Sequence, residues 1–157
     1  METHSILSAI LRIIHPNLYY TGRSAMVKLM EDKERLQCPQ DSEAILALWP
    51  TMFNAISVLS NRVSPFHRDT KSQAEWYDML VTVGPYSNAA MELPGVNIRL
   101  RYDSGTVIGL GGKLLRHGVS EVSGERVCLA YYMRDAIHEW LEIPVSGWSR
   151  VNQYRGM

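Results

Sequence analysis

Cysteine is scarce in this chain, with only Cys38 and Cys128. Two are too few for a disulfide framework or a cysteine-rich zinc site. They suit a reducing intracellular compartment, nuclear or cytoplasmic. An excess of one charge is also missing, since sixteen Lys and Arg balance sixteen Asp and Glu. Proteins that grip a long duplex usually carry a basic excess, so broad electrostatic binding is disfavoured; a local basic rim around a cleft is not. Long apolar runs are absent too. The stretch from Ile6 to Ile14 is broken by Ser8 and Arg12 and is too short to cross a bilayer, so no membrane partner is expected. Met1 is followed by Glu2, with no basic segment ahead of an apolar one, so no signal peptide is expected. There is no internal repeat and no low-complexity linker.

What is present is apolar side chain, 46% of 157 residues, enough for one globular domain over residues 1–157. Residues 1–50 read as helical support, 51–134 as a barrel core, and 135–157 as a C-terminal helix and tail. Ile6, Leu7, Ile10, Leu11 and Ile14 recur at helical spacing, and Pro16 is expected to end that helix. A second helix is predicted over Arg23 to Leu36. A third, capped by Asp41 or Ser42, is predicted over Glu43 to Leu48. Strands are predicted over Phe53 to Leu59, Tyr77 to Val83, Thr106 to Leu110, Lys113 to His117 and Arg126 to Met133. Val96, Ile98, Leu100 and Tyr102 alternate with Asn97, Arg99 and Arg101, the period of a half-buried strand. Short strands between glycine-containing turns predict an antiparallel barrel or sandwich, with a terminal helix over Asp135 to Leu141.

Five histidines are present, and only His67 stands two residues from a carboxylate, Asp69, in a loop-like context. On an extended segment residues two apart point the same way, so the pair can bind one metal from one side. His117 closes the strand predicted before it and is the candidate third ligand. Two His and one carboxylate with other positions open is the facial triad of non-heme Fe(II) oxygenases. Arg126 follows His117 by nine residues, across the Ser123-Gly124 turn, and is expected beside it on the neighbouring strand. A buried Arg there needs an anion, and the distal carboxylate of 2-oxoglutarate suits it. Gly111-Gly112 is read as a sharp turn ahead of His117.

The stretches Asn61-Arg62-Val63-Ser64-Pro65-Phe66-His67-Arg68-Asp69-Thr70, Gly109 to Gly118 and Arg126 to Asp135 make the sequence recognisable. With Leu11 to Pro16 and Trp76 to Gly84, they resemble the TET/JBP family of Fe(II)/2-oxoglutarate oxygenases, most closely its compact fungal branch. The resemblance runs from about Leu11 to Trp148. It implies an α+β fold, a double-stranded β-helix (jelly roll) with N-terminal helices packed on one side. It implies Fe(II) on His67, Asp69 and His117, the catalytic centre, and 2-oxoglutarate held partly by Arg126. Cys128 stands where the family has a Ser that helps hold 2-oxoglutarate. Tyr132 falls where an aromatic ring stacks on a flipped base, Arg134 where a His reads the base edge, and Ser72 where the family has an Asn. The implied activity is oxidation of the methyl group of 5-methylcytosine or thymine in DNA, with the base flipped out. A free nucleobase, nucleoside or other small molecule is the alternative substrate, and an inactive binding module is a third reading.

Other residues carry two readings each. Asn61 hydrogen-bonds substrate or 2-oxoglutarate, or stabilises a turn. Arg99 and Arg101 line a solvated face or touch substrate. Lys71, Lys113, Arg116, Arg134, Arg150 and Arg155 build a phosphate-binding rim or solvate the surface. His15-Pro16 and His138 read as structural.

Overall fold

The computed structural model describes residues 2–154. It divides into two compact units, one of residues 1–54 and 133–157 and one of residues 55–132. The first holds the helices α1 (Glu2–Ile14), α2 (Pro16–Glu31), α3 (Pro39–Leu48) and α4 (Asp135–Trp140). Leu7 and Leu11 are the buried stripe of α1, and Leu18, Gly22, Ala25 and Leu29 that of α2.

Both helix-opening prolines correct the sequence expectation. Pro16 starts α2 at its first turn, so this helix begins well before Arg23 and ends at Glu31 rather than Leu36. Pro39 likewise opens α3 ahead of the expected Asp41 or Ser42 cap. Proline has no N–H to lose at a helix start and its fixed φ already suits the first turn. His15 sits at the junction, fully buried, and its Nδ1 accepts the Leu18 N–H at 3.2 Å. The tail is tied back to this unit, because Ser149 Oγ donates to the Ile14 carbonyl at 3.1 Å.

The second unit is built from strands β1 (Ala55–Ser60), β2 (Ser64–His67), β3 (Asp78–Val83), β4 (Tyr86–Ser87), β5 (Ala90–Leu93), β6 (Ile98–Arg101), β7 (Val107–Leu110), β8 (His117–Val119), β9 (Ser123–Gly124) and β10 (Val127–Tyr132). One four-stranded sheet runs β1-β10-β3-β7, another runs β2-β8-β5-β6, and β4 pairs β9. Every pairing is antiparallel. Met91, Leu93 and Val119 of the second sheet share one buried cluster with Leu110 of the first, with Ala89 and Tyr102 among them. A helical unit and a unit of two four-stranded antiparallel sheets with a common apolar core make an α+β fold of jelly-roll type.

Two strand expectations are corrected. Lys113 to Arg116 do not extend a strand, because the Leu114 and Leu115 N–H groups both donate to the Gly111 carbonyl at 3.0 Å, and β8 begins at His117. The alternating segment forms only β6, whose Ile98 and Leu100 stay exposed while Tyr102 is fully buried. β6 is the outer edge of its sheet, so the face shared with Met91 and Leu93 runs out of cover there.

His138 of α4 is buried, and burial lowers its pKa to about 4, with Asp135 opposing the shift. An unfolded imidazole titrates near ~6.5. Between those values the unfolded chain binds more protons, so stability falls as pH drops through the window. Urea denaturation from pH 7.5 to 4 should show a shallower loss in His138→Leu than in the wild type. Equal slopes would exclude this role.

Candidate metal centre

β2 and β8 are neighbours, and their register sets His67 directly opposite His117. Residues opposite one another in an antiparallel pair project to the same face, and here the ring centroids lie 4.4 Å apart. Asp69 is the second residue past the end of β2. Its Oδ1 is 3.7 Å from His67 Nε2 and its Oδ2 is 3.6 Å from His117 Nε2. One ligand atom from each of the three lies within 4.8 Å of the other two.

The outer nitrogens of both rings are fixed by the chain itself. His67 Nδ1 is 2.7 Å from the Pro65 carbonyl and His117 Nδ1 is 2.9 Å from the Leu115 carbonyl. A carbonyl only accepts, so each Nδ1 donates to it, and in the neutral form of each imidazole the Nε2 lone pair faces Asp69. Two lone pairs and a carboxylate converging without a donor between them is an arrangement that a cation completes. The cluster is open on one side. His117 is 7% exposed at its side chain, whereas Asp69 and His67 are 39% and 46% exposed.

Gly112 makes room for this geometry. Its carbonyl accepts the Asp69 N–H at 3.0 Å. A Cβ at Gly112 would overlap the Asp69 carboxylate and press on that of Asp78. Neither Gly111 nor Gly112 has a positive φ, so this pair supplies space beside a ligand rather than the conformational freedom expected of a sharp turn. Asp78 is itself buried, and no sequence motif singled it out.

Arg126 is placed differently from the expectation. β8 pairs with β2 and β5, while Arg126 leads into β10 of the other sheet, so the two residues are not on neighbouring strands. Its side chain is buried within the same unit. Nε donates to Thr82 Oγ1 at 3.1 Å, Nη1 donates to the Arg62 carbonyl at 3.2 Å, and the guanidinium lies 5.3 Å from the Tyr102 ring centroid. Among the described residues no carboxylate pairs with it. A buried cation lacking a counter-anion is costly, and a guanidinium fork matches a carboxylate. Cys128 is buried beside it, with Sγ 3.6 Å from Tyr102 Oη. Burial, then the Cys128 thiol, pushes the Tyr102 phenol far up, so it remains a neutral hydroxyl.

The remaining candidates are dispersed. Asn61 has φ +50°, and both ends of its amide are engaged: Oδ1 accepts the Arg126 N–H at 2.7 Å and Nδ2 donates to Glu125. Tyr132 ends β10 with its hydroxyl 3.0 Å from Ser57 Oγ. Ser72 is buried and its carbonyl accepts from Lys113 Nζ. Arg99 sits on the edge strand, with β5 between it and β8, and its Nε is 3.6 Å from Glu92. Arg134 caps α4 in the helical unit, where its N–H donates to Asn54 Oδ1 at 2.9 Å. Arg68 Nε donates to the Leu114 carbonyl at 3.0 Å, and Arg116 lies over the Phe66 ring at 5.5 Å. Arg155 lies outside the described residues.

The family described as the oxygenase domain of the 2OGFeDO superfamily (Tet_JBP) matches residues 1–135. The chain belongs to this family. No curated protein matches it. The match spans the whole strand-built unit and most of the helical one. The protein is therefore an Fe(II)/2-oxoglutarate-dependent dioxygenase, with Fe(II) and 2-oxoglutarate as its cofactors. The observed donor set fits the iron, being two imidazole nitrogens and one carboxylate. The uncompensated Arg126 fits a dicarboxylate cosubstrate.

Gly112→Ala should weaken Mn(II) binding, the non-reactive probe for this centre, by more than about tenfold, the scale expected when the support of a ligand is disturbed. Gly111→Ala, whose added methyl meets nothing closer than the Trp76 carbonyl at 3.9 Å, should bind as the wild type does. Electron paramagnetic titration separates the two, and equal affinities would refute the spacing role.

Proposed function

We propose that this dioxygenase oxidises the methyl group of a modified base, of 5-methylcytosine or thymine type, in nucleic acid. His67, Asp69 and His117 hold the iron through Nε2, a carboxylate oxygen and Nε2. Arg126 takes the distal carboxylate of 2-oxoglutarate, with Cys128 beside it. The observation that carries the assignment is the buried, uncompensated Arg126 in the same compact unit as the open His-Asp-His cluster.

When bound, the iron and 2-oxoglutarate would let dioxygen oxidise a substrate C–H bond to C–OH, one oxygen atom going to the substrate and the other to the succinate formed from 2-oxoglutarate with loss of carbon dioxide. The chain's own residues bind and orient. The Pro65 and Leu115 carbonyls hold the two imidazoles in the tautomer that presents Nε2. Gly112 keeps the space beside Asp69 open, and burial of His117 shields one side of the centre from water.

A methyl group inside a duplex cannot reach such a centre, so the base leaves the stack. Tyr132 is the candidate to stack on it and Arg134 to meet its edge, both from the resemblance. Asn61, Ser72 and Arg99 are weaker substrate candidates, because Asn61 and Arg99 already have protein partners and Ser72 is buried. Exposed Arg68, Lys71 and Arg116 stand next to the ligands in sequence and support a local phosphate-binding rim. The overall charge balance favours the second reading, a free nucleobase, nucleoside or other small molecule. We read residues 1–157 as one domain of two units, working inside the cell, nuclear or cytoplasmic.

Nucleoside mass spectrometry tests the substrate. With Fe(II) and 2-oxoglutarate, oligonucleotides bearing 5-methylcytosine or thymine should gain one oxygen on the methylated base, and His67→Ala should abolish the gain. Oxidation of free nucleosides alone would transfer the assignment to the small-molecule reading. Arg126→Met should raise the KM for 2-oxoglutarate by about thirtyfold or more, the scale of a lost charge-assisted pair. An unchanged KM would remove Arg126 from the cosubstrate site.

A further inference from the structure

Behind Arg126 lies a chain of buried and half-buried hydroxyl groups that the family assignment does not explain. The register of β3 against β10 sets Thr82 opposite Cys128, and Arg126 precedes Cys128 by two residues, on the same face. Thr82 is fully buried, and its Oγ1 accepts the Arg126 Nε–H at 3.1 Å. The Tyr86 hydroxyl lies 3.0 Å from Thr82 Oγ1 and 2.7 Å from the Tyr102 carbonyl oxygen. Tyr102 in turn places its ring under the Arg126 guanidinium and its hydroxyl against Cys128.

The proton positions in this chain follow from donor counting. Tyr86 has one hydroxyl proton, which it shares between the Tyr102 carbonyl at 2.7 Å and Thr82 Oγ1 at 3.0 Å. The Thr82 proton points to the Val127 carbonyl at 3.5 Å, and its oxygen accepts from Tyr86 at 3.0 Å. That leaves the second Thr82 lone pair for Arg126 Nε. The donors converge on Thr82: Arg126 and Tyr86 both donate to its oxygen, and Thr82 donates to the Val127 carbonyl. The Arg62 carbonyl takes one Nη1 proton, so three of the five guanidinium N–H groups are left for a ligand. The backbone of Thr82 is also pinned, as its N–H donates to the Thr106 carbonyl at 3.2 Å and its carbonyl accepts the Gly105 N–H at 2.7 Å.

We propose that Thr82 and Tyr86 are positioning residues that lock the Arg126 guanidinium into the orientation that binds the distal carboxylate of 2-oxoglutarate. This rests on Arg126 being the carboxylate-binding residue. The relay sets how well the fork is organised before the acid arrives. It therefore tunes cosubstrate affinity and leaves the metal ligands on the other sheet unaffected.

Calorimetric titration of 2-oxoglutarate into the Mn(II)-loaded full chain tests this without turnover. Thr82→Val keeps the shape and removes the acceptor, and should weaken 2-oxoglutarate binding by about tenfold, as for a lost hydrogen bond to a charged group. Tyr86→Phe should weaken it by about threefold, on the scale of a neutral hydrogen bond. Thr82→Ser, which keeps the hydroxyl, should restore the affinity. Mn(II) affinity should be the same in all three. Wild-type affinity in Thr82→Val and Tyr86→Phe, with Arg126→Met weakened, overturns the relay and leaves the Arg126 reading intact. Wild-type affinity in Arg126→Met overturns the reading beneath it. A fall in Mn(II) affinity or a failure of Thr82→Ser to recover would make Thr82 a packing residue and also overturn the proposal.

Discussion

The pairing of β2 with β8 fixes the centre, because it alone sets His67 across from His117. Strand side chains alternate, so a slip of one residue on either strand would turn one imidazole to the opposite face. The pairing is not a smooth ladder: an irregularity falls between Ser64 and His67. Irregular pairings of this kind re-aim side chains and recur beside active sites. Asp69 then needs only to continue past the strand, held by the Gly112 carbonyl, to bring its carboxylate between the two Nε2 atoms.

The same unit solves a different problem at Arg126. A guanidinium this deeply buried would normally be paired with an acid, since desolvation is expensive and an unpaired charge gains nothing back from water. Here it receives a hydroxyl, a carbonyl and an aromatic face, all neutral. These partners reduce the cost without cancelling the charge. A protein carboxylate at this position would compete with any acidic ligand, so the neutral surroundings keep the cation available to such a ligand.

The centre was more legible in the sequence than its surroundings. His67 and Asp69 are local in sequence, and two-residue spacing on an extended segment carries geometric information by itself. His117 was reachable only with the order of the strands, and the strand predicted before it is a turn. Arg126 is expected on the strand beside His117 and stands in the other sheet, because turns predict hairpins and this fold sends β8 and β10 into different sheets. Pro16 and Pro39 read as stops because proline breaks a helix interior, yet it opens a helix equally well, and the sequence signal for the two is the same. Thr82, Tyr86 and Asp78 were invisible, since a lone hydroxyl or acid on a strand announces nothing until its neighbours are known.

Gly112 shows why the order of such contacts matters. In sequence a Gly-Gly pair signals a turn, and the chain does turn there. Yet the backbone at both glycines is one that other residues adopt, so the turn does not require either of them. What requires Gly112 is the Asp69 carboxylate lying where a methyl group would be, with Asp78 close behind. The constraint runs from the Asp69 carboxylate back to the loop. The loop must carry the smallest residue at one position because the ligand already occupies the space, and backbone freedom is incidental to it.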